Sequence, residues 1–326
     1  MIKKLNFKNY SEKLIIDKYL SRLNFNKKGT YNFKNDAAYI RLNKNKKLVV
    51  TTDSISENLD FFKNDDPKSI AHKIITVNLS DLSSMGVIPH SYLLNLFLPH
   101  YVNLKWIKIF TAELFKIQKK FNFYLLGGDL SKSKELSITS TFFGYAKNNY
   151  VVSQNQSNLN DDIWITGNIG DSFIGLQILK NKIKVNNKLK KYFIKKYYFP
   201  EACIYGSELS KFSKSMKDIS DGFIGDLKKM LKNNYGAKIY INNIPVSNNL
   251  KKILSKNIIN INQILNCGDC YQLILISNKK FRNKIISNAK KNNIKITRVG
   301  TVIKNSYIID DSNYTLNIPR EFDHFL

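Results

Sequence analysis

Acidic residues are scarce in this chain: 25 Asp and Glu stand against 52 Lys and Arg, a formal net charge of +27 over 326 residues. Such an excess ordinarily points to nucleic acid or an anionic membrane surface. Arginine is also scarce, at 5 residues, and the balance is 47 Lys in a chain with 41 Asn. Nucleic-acid interfaces favour Arg, whose planar fork pairs bidentately with phosphate and guanine. Abundant Lys, Asn, Ile, Tyr and Phe together fit the codon drift of an AT-rich genome better than a nucleic-acid groove. The 3 cysteines, Cys203, Cys267 and Cys270, are too few for a disulfide scaffold and suit a reducing cytoplasm. No run of 18 apolar residues occurs, which argues against a transmembrane helix. The basic start, MIKKLNFKNYSEKL, has no continuous apolar core of the kind a secretory signal needs.

Hydrophobic residues are plentiful at 43%, enough for a sizeable core, and charged residues make up 24%. The first 24 residues predict a helix with Leu14, Ile15, Lys18, Tyr19 and Leu23 on one stripe. Residues 37–42 and 47–52 read as short strands, 69–85 as a helix and 91–98 as a strand. Residues 104–121 give the clearest amphipathic helix, with Leu104, Ile107, Phe110, Leu114, Ile117 and Phe121 on one face. Strands at 123–126 and 137–145 follow, and the polar stretch SQNQSNLNDD (153–162) then breaks the pattern. Beyond it helix and strand alternate: strand 163–166, helix 172–179, helix 201–214, helix 223–233, strand 237–242, strand 271–277, helix 279–291, and strands 294–299 and 306–310. The expected organisation is two α/β lobes, residues 1–150 and 151–326.

In a chain so poor in acid, Asp recurs at strand ends and in Gly/Ser turns: Asp36, Asp53, Asp81, Asp129, Asp218, Asp221 and Asp269. Any one of these reads as a turn or cap residue. Converging carboxylates, however, repel one another unless cations lie between them. Magnesium takes one or two carboxylates together with substrate phosphates. The companions fit that chemistry. Thr51 and Thr52 precede Asp53, Gly127 and Gly128 precede Asp129, and Asp218-Ile219-Ser220-Asp221-Gly222 precedes a helix, so that its amides are expected to face an anion. No Walker A loop and no G-x-G-x-x-G is present.

The strings NDAA (35–38), TTD (51–53), VNLSDLSSMG (77–86), LLGGD (125–129), WITGNIGDSFIGLQIL (164–179), DISDGFIGDL (218–227), NCGDCYQL (266–273) and DHF (323–325) occur in the order and spacing of one family. The chain resembles the thiamine-monophosphate kinase family. Its superfamily also holds aminoimidazole ribonucleotide synthetase, selenophosphate synthetase and a hydrogenase maturation factor. The resemblance implies a two-lobed PurM-like α/β (α+β) fold. Its N-terminal lobe would form a β-barrel shared in a homodimer, with the active site in the cleft, and its C-terminal lobe would be α/β. It implies magnesium-assisted transfer of a phosphoryl group from ATP to thiamine monophosphate, in the cytoplasm. Asp36, Thr51, Thr52, Asp53, Asp81, Asp129, Asp218 and Asp221 match the family's metal positions. Gly128, Asp129 and Ser220 match its nucleotide contacts, and Asp60 and Asp269 its substrate contacts. No catalytic base is expected, because a phosphate monoester is already anionic at neutral pH. The family often has His where Asp60 stands, Arg at Gln154 and an aromatic at Pro319, near Phe322; its GGED-Y-E-L reads CGDCYQL here.

Rival readings remain. Cys267-x-x-Cys270 has no second pair to complete a zinc site and reads as coincidence. The Lys-rich stretch 180–196 reads as a helix with a solvated basic face. Another ATP-dependent member of the superfamily, a degenerate ATP-binding homologue and a basic nucleic-acid-binding protein are the alternatives to the kinase.

Overall fold

The fold is that of a computed structural model, which describes residues 11–33, 35, 37–41, 45–146 and 150–317. The chain forms two compact units, one of residues 1–78 and 89–145, the other of 79–88 and 146–326. Among the described residues no helix is long and apolar enough to cross a membrane.

The first unit opens with helix α1 (Glu12–Ile15), capped by Ser11 and continued by a π turn (Ile16–Leu20) and a 3-10 turn (Ser21–Asn24). Ile15, Tyr19, Leu20 and Leu23 are buried, so the stripe is rotated slightly from the expected one; Leu14 and Lys18 are exposed. Residues 37–41, expected to open a strand, form none. Tyr39 N instead donates to Gly29 O (3.0 Å), and a Cβ on Gly29 would lie 2.2 Å from that tyrosine's carbonyl oxygen.

Strand β1 (Leu48–Ser56), helix α2 (Pro67–Ser84), strand β2 (Val87–Leu98), helix α3 (Leu104–Phe121) and strands β3 (Tyr124–Lys132) and β4 (Ser137–Ala146) follow. The sheet order is β1-β4-β2-β3. It is an open sheet with β1 and β3 as its edges, so the barrel implied by the resemblance is not closed within one chain. Helices α2 and α3 cover its inner face. Asn78 Nδ2 donates to Ser140 Oγ (2.8 Å), and Tyr92 OH donates to Gln118 Oε1 (3.4 Å). Tyr92, Phe123 and Phe142 pack there with ring centroids 4.9–5.6 Å apart. Helix α3 runs over the residues expected of it because its apolar stripe has the helical period. Asn103 caps its start and left-handed Asn122 (φ 55) ends it.

The second unit holds a six-stranded sheet, built from β5 (Asp162–Thr166), β6 (Ser215–Asp218), β7 (Gly236–Ile239), β8 (Leu273–Ser277), β9 (Ile296–Ile303) and β10 (Ile308–Ile309). Its order is β10-β7-β9-β5-β8-β6. Central strands β5 and β8 are buried throughout, and alternate residues serve two cores. Ile163, Ile165, Ile274 and Ile276 join the larger one, which takes in α4 (Asp171–Leu179), α5 (Asn187–Tyr198) and α7 (Phe223–Met230). Trp164, Leu273 and Leu275 join the smaller one, with Leu209 of α6 (Gly206–Leu209) and Ile285 of α10 (Arg282–Lys291). The helix expected over 201–214 shrinks to α6 and a 3-10 turn (Ser210–Phe212), because Cys203 N pairs with Tyr271 O (3.0 Å) and holds the chain extended. Two short helices were not expected, α8 (Asn248–Leu254) and α9 (Ile261–Leu265); each starts at a side-chain cap, Ser247 and Asn260.

Candidate active site

Strand alternation governs the first group of candidates. Thr51 and Asp53 are half-buried on one face of β1, whereas Thr52 is exposed on the other. Thr52 Oγ1 lies 2.9 Å from Thr141 Oγ1 across the sheet. Asp60 sits in the turn after β1. Its Oδ2 accepts Ser56 N (2.7 Å), and its carbonyl accepts Lys73 Nζ (2.8 Å). Asp36 lies outside the described residues.

Gly128 faces Leu94 across the parallel β2–β3 pair, and a Cβ there would lie 1.8 Å from Leu94 O. Only glycine lets the two backbones approach so closely. The next residue, Asp129, is exposed and accepts Ser131 Oγ (2.7 Å). Gly128 and Asp129 line a cavity of about 680 Å³, walled on its other side by Ile16, Leu20, Phe33 and Asn35. Asp53 and Asp129 lie on β1 and β3, the two edge strands of the sheet.

The second unit does gather its candidates. Asp218, at the end of β6, is 4% exposed, and its Oδ2 accepts Ser80 Oγ (2.8 Å). Burial, and after it the neighbouring negative charge of Asp81, pushes the Asp218 carboxyl up to about 6; Lys217, with Nζ 3.8 Å from Oδ1, opposes that rise. The turn 220–222 continues from the same strand. Asp221 there is exposed and pairs with Lys229 (2.9 Å). The loop bearing Asp269 is stitched to this segment by three backbone bonds: Ile219 N to Gln272 O (2.8 Å), Asp269 N to Ser220 O (2.9 Å) and Tyr271 N to Ile219 O (2.9 Å). Asp269 and Tyr271 both adopt left-handed backbone, φ 57 and 52, and Tyr271 OH donates to Asp269 Oδ1 (2.7 Å). Strained non-glycine backbone of this kind concentrates at functional sites.

One expectation is corrected. The amides of Ser220, Asp221 and Gly222 do not face outward to an anion. All three donate to Asp226 Oδ2, at 3.0, 3.0 and 3.2 Å. Asp226, Lys217 and Tyr271 were not among the candidates read from the sequence, although Asp226 sits inside the string DISDGFIGDL and is the one acid there on a helix's apolar side. Cys267 and Cys270 are free, buried thiols of this loop, and the contact with Cys270, followed by burial, raises the Cys267 thiol. Gln154 is exposed in an irregular segment, and Pro319 lies outside the described residues.

Residues 34–146 match the family described as AIR synthase related protein, N-terminal domain, and residues 161–311 its C-terminal domain. The thiamine-monophosphate kinase of Buchnera aphidicola subsp. Acyrthosiphon pisum is 34% identical over 97% of this chain and 99% of its own length. The chain belongs to the thiamine-monophosphate kinase family. Solved structures agree with that membership. The thiamine-monophosphate kinase from Stenotrophomonas maltophilia K279a superposes with a TM-score of 0.78 at 26% identity, over 85% of this chain and 89% of that one. AaThiL complexed with AMPPCP and TMP gives 0.77 at 26% identity, over 89% and 91%. Thiamine-monophosphate kinases are phosphotransferases, and the carboxylates of Asp81 and Asp218 and the Ser80 hydroxyl are hard oxygen donors. Among the described residues no three His, Cys, Asp or Glu side chains cluster closely enough to form an all-protein metal cage. A carboxylate pair completed by substrate phosphates is the arrangement magnesium favours, so the donor set fits that ion.

Proposed function

We propose that this chain transfers the terminal phosphoryl group of ATP to the phosphate of thiamine monophosphate, forming ADP and thiamine diphosphate. The observation that carries this reading is Asp218, which accepts a bond from Ser80 next to Asp81 and stands beside the 220–222 turn, in a chain 34% identical over 97% of its length to a thiamine-monophosphate kinase. The acceptor oxygen is already ionised, so no side chain has to remove a proton from it. The demands on the protein are alignment and relief of charge repulsion between two anionic substrates. Asp36, Thr51, Thr52, Asp53, Asp81, Asp129, Asp218 and Asp221 would hold magnesium, which when bound offsets the phosphate charges and templates the in-line approach. Ser80 fixes the rotamer of Asp218, and Tyr271 fixes that of Asp269 for substrate contact. Gly128 and Asp129, at the wall of the 680 Å³ cavity, and Ser220 would contact ATP.

Residues 1–150 would supply nucleotide and metal contacts and the dimer surface, and residues 151–326 the C-terminal α/β lobe. The open edge at β1 and the outer sheet face, with Val50 52% and Phe97 36% exposed, support a homodimer in which two such sheets build one barrel. The cytoplasm is the compartment proposed, where ATP and reduced thiols are plentiful.

The test is ADP release by the purified full chain with magnesium, ATP and a panel of phosphate monoesters. Release that depends on thiamine monophosphate supports the reading. ATP binding without any release on that acceptor would overturn it. Asp60, whose carboxylate is engaged by Ser56 N, motivates the second reading of a relative with a different acceptor, and release on another member of the panel would favour it.

A further inference from the structure

The amides of residues 220–222 form a small concave nest of the kind that elsewhere binds phosphate. Here the anion comes from the chain itself. Asp226, in the first turn of α7, is fully buried, and its Oδ2 accepts the N–H groups of Ser220, Asp221 and Gly222 at 3.0, 3.0 and 3.2 Å. Its Oδ1 lies 3.4 Å from Lys217 Nζ, and the same ammonium is 3.8 Å from Asp218 Oδ1. One carboxylate thus ties the turn to the helix and, through Lys217, to the end of β6.

A buried carboxylate is costly unless it is paired, and hydrogen bonds to an ionised acceptor are about twice as strong as neutral ones. Three amides and a lysine provide that pairing. Removing the carboxylate would leave three amides without an acceptor and Lys217 with one acidic neighbour fewer. Gly222 in this turn has φ 138°, and a Cβ there would lie 2.9 Å from Asn266 C, so the turn needs glycine at that position. Asp226 therefore holds the amide side of the turn, while Asp269 N holds the carbonyl of Ser220.

We propose that Asp226 is the positioning residue of the phosphoryl-transfer site: it sets the turn that presents Asp218, Ser220 and Asp221, and by filling the nest it excludes phosphate from those amides. This rests on the kinase reading for the roles of those three residues, but the claim about the turn stands apart from it. Asp226 touches no substrate. Its effect passes through the backbone of its neighbours.

The test compares the full-length wild type with Asp226→Ala and Asp226→Asn. Asn keeps one acceptor oxygen and the side-chain shape. Three quantities are measured: amide hydrogen exchange of the peptide spanning 219–222, calorimetric affinity for magnesium with a non-hydrolysable ATP analogue, and the magnesium concentration giving half-maximal turnover. In Asp226→Ala, exchange at 220–222 should accelerate at least tenfold while α4 peptides stay unchanged. Affinity for the magnesium–analogue complex should fall about tenfold, and half-activation should need correspondingly more magnesium. Asp226→Asn should recover part of each loss. If Asp226→Ala does not fold, the Asn variant alone decides, with an expected loss of a few-fold in each quantity. A folded variant with wild-type exchange at 220–222 would overturn the proposal, and so would faster exchange with unchanged affinity for the magnesium–analogue complex. If the wild type makes no thiamine diphosphate, the substrate reading falls, while exchange and analogue affinity still decide the role of Asp226.

Discussion

Asp218 carries a conflict between stability and chemistry. Its carboxyl is moved from 3.8 to about 6 by burial and by Asp81. Between those pH values the unfolded chain has lost a proton that the metal-free folded chain keeps. The contribution is therefore full below about pH 4 and is lost as pH rises through about 6. A carboxyl pKa raised by about two corresponds to about 3 kcal/mol. Asp218→Asn removes that burden. In EDTA at pH 7 the variant should resist urea better than wild type, and at pH 4 the two should converge. A variant less stable at pH 7 would contradict this account of Asp218. For Asp53→Asn the expected outcome is loss of turnover by roughly a hundredfold or more, because the substitution removes the carboxylate proposed to hold magnesium with no change in bulk. Unchanged circular dichroism with near-wild-type turnover would remove Asp53 from the metal set. The acids were legible in the sequence because a basic chain makes each one conspicuous. Asp226 was not, because its partners are backbone amides, which no residue letter announces.

Among the elements, β3 depends most on a single residue. Gly128→Ala would place a methyl group 1.8 Å from Leu94 O, and a backbone carbonyl in a sheet cannot rotate away. Destabilisation of roughly 3 kcal/mol is expected, with loss of ATP-analogue binding, measured by urea titration and calorimetry. Asn103→Ala should cost only about 1 kcal/mol, since it removes one cap from a helix whose apolar face is well buried. Helix α3 was legible to the residue because six apolar side chains recur at its period between two Asn signals. The helix expected over 201–214 failed for a tertiary reason: Cys203 N pairs with Tyr271 O, Glu201 O accepts Gln272 Nε2, and Gly206 meets Ser83 O, where a Cβ would lie 1.7 Å away. Helices α8 and α9 are too short for periodicity to register, and only their caps mark them. The 220–222 amides show how a local signal can mislead. A Ser-Asp-Gly turn before a helix looks like an anion site, and it is one, already filled from within.

At the scale of the whole molecule the candidates fall in two groups, one in each unit. Asp81, Asp218, Ser220, Asp221 and Asp269 share one neighbourhood of the second unit. Asp53 and Asp129 stand on opposite edges of an open sheet in the first. A barrel completed by a second copy would give those edges partners. Sedimentation velocity of the full chain should therefore show a dimer, and Val50→Lys, on the exposed face of β1, should shift it toward monomer. A monomeric wild type at micromolar concentration would contradict the shared barrel. The net charge of +27 should count for little in partner choice, because it is spread as lysine over the whole chain. The central claim is the identity of the acceptor, and following the label tests it most directly. With ATP labelled at its terminal phosphorus, magnesium and unlabelled thiamine monophosphate, the label should appear in the terminal phosphate of thiamine diphosphate. Label found only in inorganic phosphate, or remaining in ATP, would contradict it.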